Sequence, residues 1–160
     1  MAVILWGKPT ITVTAVGGAS ADQSANLTVP TPVADSTQLT TQAGDKHTAD
    51  IEGGGYEAVR YDKNTYLFEF AVRFAQGRTM PFEDKSHDGV VTGTYKFVVT
   101  GEDTGSPSMT MQEANVRYED ELTADDGARR HYYCESIIPA SGDQVVWSHT
   151  AGSGSGTSGS

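Results

Sequence analysis

The chain has a single cysteine, few basic residues and no long apolar run, and each shortage excludes something. Cys134 has no second cysteine to bond with, so the fold is not stapled for an oxidising compartment and reads as made for a reducing one. Its setting, Tyr132-Tyr133-Cys134-Glu135, looks like a strand, where a free cysteine behaves as a small hydrophobe. The 11 Lys and Arg face 21 Asp and Glu, a formal net charge of −10. That balance lacks the basic footprint needed to grip a nucleic-acid backbone or an anionic membrane surface. It also favours solubility. The apolar start, Met1-Ala2-Val3-Ile4-Leu5-Trp6, is interrupted by Gly7, Lys8 and Pro9 and has no basic leader, so it does not read as a signal peptide. No segment approaches the roughly 20 apolar residues that span a bilayer. A soluble protein with no membrane partner is expected.

The signatures of catalysis are equally scarce. His47, His87, His131 and His149 are scattered, without an i,i+4 partner or a neighbouring second cysteine, so they read as surface or loop-end residues. A cross-strand pairing of histidines stays open. Two acidic groups stand out: Glu83-Asp84 with Asp88, and Glu119-Asp120-Glu121 with Asp125-Asp126. Neither has the spacing of an EF-hand, and solvated turns that protect strand edges are the plainer reading, with calcium as the alternative. A glycosidase pair would need the two carboxylates set across a cleft. Gly105-Ser106-Pro107 is not a nucleophile elbow, and Gly53-Gly54-Gly55 lacks the Lys-Ser/Thr of a phosphate loop. The protein is not expected to be an enzyme. No catalytic, cofactor-binding or metal residue is assigned, and no cofactor is implied.

What the chain does have is alternation. Tyr66, Phe68, Phe70, Val72 and Phe74 occupy every second position, the period of a strand with one buried face. Tyr95, Phe97 and Val99 repeat it. Tyr66, Phe68, Phe70 and Phe74 could line a carbohydrate platform, but a buried sheet face is commoner. Between the two strands, residues 76–89 read as a long polar connection carrying Met80-Pro81-Phe82-Glu83-Asp84 and Asp88-Gly89.

The 160 residues fit one domain, and the 37% apolar content suits a polar, loop-rich β protein. Residues 3–6 read as a short strand or an arm, and residues 10–16, Thr alternating with apolar residues, as a strand. Residues 20–27 allow one short helix before Pro30 and Pro32. Residues 35–44 read as a loop or an exposed strand. Residues 46–52 and 56–62 flank the three glycines as a hairpin. Residues 109–118, 129–138 and 144–149 complete the sheet, with 119–127 as an acidic turn. The expected fold is all-β, an antiparallel sandwich or barrel with long loops and at most one short helix. Residues 1–151 are expected to form a single β domain, with 1–9 as an N-terminal arm or strand, and the Gly/Ser/Thr run at 152–160 reads as a flexible linker or an added tail outside the fold.

The run Tyr66-Leu67-Phe68-Glu69-Phe70, Gly77-Arg78, Pro81-Phe82-Glu83-Asp84 and Asp88-Gly89-Val90-Val91-Thr92-Gly93-Thr94-Tyr95 resembles bacteriophage and prophage tail tube proteins. The likeness continues through Gly101-Glu102-Asp103, Val116-Arg117-Tyr118-Glu119-Asp120, Asp126-Gly127, Tyr132-Tyr133 and Ile138-Pro139-Ala140-Ser141-Gly142, covering residues 56–146. The resemblance implies a structural virion protein of the tail, made in the host cytoplasm. Its subunits would form hexameric rings that pair sheets edge to edge and stack into a conduit for DNA. Its partners would be its own copies and other tail proteins. DNA would only pass through, repelled by an acidic lumen over about a Debye length, roughly 8–10 Å. Long polar connections such as residues 76–89 would serve as arms to neighbouring subunits. Two alternatives remain: an immunoglobulin-like or carbohydrate-binding surface module, and another phage structural protein, of the capsid decoration or head–tail joining kind.

Overall fold

The computed structural model describes residues 4–17, 27–83 and 86–149. Among these, all regular structure is β. The strands are β1 (Thr10–Gly17), β2 (Leu27–Thr28), β3 (Gln38–Gln42), β4 (Lys46–Asp50), β5 (Tyr56–Tyr61), β6 (Thr65–Arg73), β7 (Ser86–His87), β8 (Val90–Thr100), β9 (Ser108–Thr123), β10 (Gly127–Ser136) and β11 (Val145–Ser148). The short helix expected over residues 20–27 falls mostly outside the described residues, and Leu27 itself begins β2. The linker at 152–160 also lies outside them. Residues 4–9 are irregular, so of the two expectations for the start of the chain the strand is not seen there.

Nine strands form one antiparallel sheet in the order β2-β1-β8-β9-β10-β6-β3, with β7 added to β8 and β11 to β9. The sheet curls but does not close. Val29 N–H donates to Ile11 O on β1 and Val33 N–H to Ala71 O on β6, at 2.9 and 2.8 Å. Four residue steps reach at most about 14 Å, and each hydrogen-bonded spacing adds about 5 Å, so β1 and β6 lie within about 24 Å of each other. The facing edges of β1 and β6 are taken by β2 with Val29 and by β3 with Val33, and Pro30 and Pro32 between them have no N–H to give, so no ladder joins β1 to β6.

Alternation places Ile11, Val13, Phe68, Phe70, Val72, Tyr95, Phe97 and Tyr132 on the concave face, all essentially buried. On β9 the parity changes. Tyr95 pairs with Ala114 but Phe97 pairs with Met111, so β9 carries one extra residue opposite β8. This bulge turns Met109 and Met111 inward on one side of it and Ala114 and Val116 inward on the other. The bulge sits where β9 exchanges its neighbour β10 for β11: Ile137 N–H donates to Glu113 O and Gln112 N–H to Gln144 O.

The connection at 76–89 is not the polar arm that its composition suggested. Met80 and Phe82 are buried at 3% and 1% exposure, and Pro81 is buried with them. Phe82 sits edge-on to Tyr95 with centroids 4.6 Å apart, and the Tyr132 hydroxyl donates to Pro81 O at 2.9 Å. The segment caps the mouth of the curled sheet. Glu83 N–H donates back to Met80 O, closing a turn in which Phe82 adopts φ 62°, a position that usually takes glycine. Burial of the ring holds it there.

The acidic turn is also shorter than expected. Glu119, Asp120 and Glu121 belong to β9, and the reversal begins after Thr123.

Candidate assembly surface

β4 and β5 form a two-stranded ribbon of their own, and every residue of both strands is exposed. Hairpins of this size are marginal in water without a surface to lie on. The ribbon closes through Gly53, Gly54 and Gly55, whose φ angles of 86°, 93° and 91° suit no other residue well. Its ladder shifts between Ala49 and Asp50, because Ala49 pairs with Ala58 while Asp50 pairs with Tyr56. The extra residue, Glu57, brings Tyr56 onto the face already occupied by Val59 and Tyr61. Lys46 Nζ lies 5.0 Å from the Tyr56 ring on that face. The outcome is an apolar stripe, Tyr56, Val59 and Tyr61, at 56%, 43% and 67% exposure.

The base of this arm is tied down. Asp62 N–H donates to Asp45 O at 2.8 Å, and Gly44 N–H donates to Asn64 Oδ1 at 3.2 Å. The two backbones approach so closely that a Cβ on Gly44 would stand 2.1 Å from Asp62 O. His47 Nε2 lies 2.8 Å from Asp62 Oδ2. The hydrogen bond and charge of Asp62 raise the His47 pKa above its ordinary value, and the hydrogen bond to His47 lowers that of Asp62. Gln144 then fixes the base to the body: its amide donates to Asn64 O at 3.0 Å and accepts from the buried Ser136 hydroxyl at 2.9 Å.

The convex face of the large sheet carries paired charges. Arg117 pairs with Glu119 along β9, while Arg129 pairs with Glu121 and His131 with Glu69 across strands, at 2.9, 2.8 and 3.0 Å. The Arg117 guanidinium lies 4.1 Å from the Tyr133 ring. Burial, followed by the charge of Glu119, raises the Tyr133 pKa, so the phenol stays protonated at neutral pH. On the opposite face, near the hairpin tip, Arg130 binds Asp120 through two nitrogens and lies 3.9 Å from the Tyr118 ring. Its pKa is pulled down by burial but raised on balance by Asp120. These arginines are thus already engaged with carboxylates, which does not suit them to hold a phosphate backbone.

Among the described residues, the histidines and acidic groups singled out in the sequence do not converge; Asp84 lies outside those residues. His131 is mid-strand and largely covered rather than at a loop end, and its partner is a carboxylate rather than a second histidine. Among the described residues, no three His, Cys, Asp or Glu come together as a metal site. Of the aromatic set, Phe68 and Phe70 are core, Tyr66 packs against it, and Phe74 lies outside β6, partly exposed beneath Arg130. Buried rings offer no sugar platform. The stripe of Tyr56, Val59 and Tyr61 was missed because the bulge breaks its period; the glycine triplet was the available signal.

No protein-family model matches the chain, and no curated protein matches it. The arm and its stripe therefore carry the functional reading on their physical character alone.

Proposed function

We propose that this chain is a structural virion protein, a subunit of a phage tail tube that assembles with its own copies into stacked, hexameric rings around a DNA channel. The observation that carries the reading is the β4–β5 arm: an exposed ribbon, anchored at its base, with an apolar stripe that no surface among the described residues covers. Tyrosine-rich patches of this kind are what protein–protein contacts bury. The outer edge of β3, which ends the sheet and pairs with no strand among the described residues, gives neighbouring copies backbone groups to pair with, which would remove an edge a lone sheet must protect. The net charge of −10 suits a channel that lets DNA pass without holding it.

Negative-stain electron microscopy with mass by light scattering tests this. Rings of uniform diameter or open-channelled tubes are expected. A strictly monomeric protein at high concentration overturns it.

A further inference from the structure

Both tryptophans of the chain, Trp6 and Trp147, line one surface groove of about 770 Å³. Phe68, Val99 and Met109 contribute to its lining from the body, and Leu39 does so from β3. Trp6 and Trp147 remain 64% and 51% exposed, although the wall that carries Trp6 is held in place. The Trp6 indole donates to Asp103 at 3.3 Å and Lys8 N–H donates to Glu102 at 3.0 Å. Large apolar concavities with half-exposed tryptophans are characteristic of docking sites.

We infer that the stripe of Tyr56, Val59 and Tyr61 on one copy seats in the Trp6 and Trp147 groove of another copy. This rests on the self-assembly reading and names the surface that receives the arm. Three observations support it. The arm presents a raised apolar stripe and the groove an apolar hollow, so each supplies what the other lacks. They also lie at opposite ends of one strand: Gln38 and Leu39 line the groove, while Gln42 leads through residues 43–45 into the arm. β3 covers roughly 14 Å between them. Donor and acceptor surfaces placed this way make a heterologous contact, which repeats from copy to copy rather than closing a pair. Finally, two chains of charge −10 repel over most of their surfaces, yet each of these patches also carries a lysine. Lys46 and Asp50 flank the stripe, and Lys8 and Asp35 stand at the groove.

Since Trp6 and Trp147 are the only two tryptophans and both line the groove, intrinsic fluorescence reads its occupancy directly. The full chain is diluted and concentrated while emission, acrylamide quenching and mass by light scattering are followed together. Emission should move to the blue and quenching should fall as mass rises. The double variant Val59→Thr, Tyr61→Ser changes only exposed positions; it should keep the native unfolding midpoint and dilute emission. Its association should weaken by at least about tenfold, with no blue shift. Rising mass with unchanged emission would overturn the docking and leave self-assembly standing. A blue shift retained in the double variant would do the same. A chain that stays monomeric overturns both. Emission already blue and protected in dilute monomer would mean that the groove is filled by the chain's own residues, and the docking would again fall.

Discussion

The rings of Phe68 on β6 and Phe97 on β8 lie with centroids 6.0 Å apart, although β9 and β10 separate their strands in the sheet. Curling of the sheet brings the two faces together. Aromatic pairs of this kind add to the stabilisation from burial alone.

Phe68→Ala and Phe70→Ala should each destabilise the protein by about 3–5 kcal/mol, because the cavity cannot collapse among packed rings. Phe70 also stacks on Tyr132, with centroids 4.9 Å apart. Urea unfolding followed by circular dichroism measures this; an unchanged midpoint would mean that these rings are not the core.

Phe82 combines a buried ring with φ 62°. Phe82→Ala loses the ring and keeps an unfavourable backbone, whereas Phe82→Gly loses the ring and relieves it. Glycine should therefore be the milder substitution, by about 0.5–1 kcal/mol, the reverse of the usual order within regular structure. Comparing the two unfolding curves decides it.

The His47–Asp62 pair makes the arm's base sensitive to pH. His47 has a raised folded pKa, so its contribution is complete below the ordinary histidine value of about 6.5 and is lost as pH rises through the raised value. Asp62 has a lowered folded pKa, so its contribution is complete above the ordinary value of about 3.9 and is lost as pH falls through the lowered one. Protection of the Asp62 amide in hydrogen exchange should peak between those ordinary values after correction for intrinsic exchange. His47→Gln should abolish the decline on the alkaline side.

Cys134 is fully buried, and burial raises its thiol pKa well above the ordinary value. A buried, protonated thiol is inert. Native protein should therefore resist iodoacetamide at neutral pH and react fully in denaturant, the labelling rate tracking opening of the core. Rapid labelling of the native chain would contradict the burial.

The ribbon and its glycine reversal were legible in the sequence, because tight turns rest on a few adjacent residues. Its isolation from the sheet was not. No local pattern records whether a hairpin finds a neighbour, and the single extra residue Glu57 breaks the period that would have revealed the stripe. The pairing of His131 with Glu69 was hidden for a related reason: 62 positions of chain separate two residues that only the β6–β10 register sets side by side.

By itself, the sequence determined the all-β class, the alternating faces of β1, β6 and β8, and the acidic character, since side-chain period and charge are properties of neighbouring residues. Only the tertiary structure decided that the sheet curls without closing, that β9 changes parity at its bulge, and that Met80, Pro81 and Phe82 cap the core. The physical reason is the range of the interactions. Alternation acts over two residues, whereas strand order, register and the space left at the mouth of the sheet depend on contacts between distant parts of the chain.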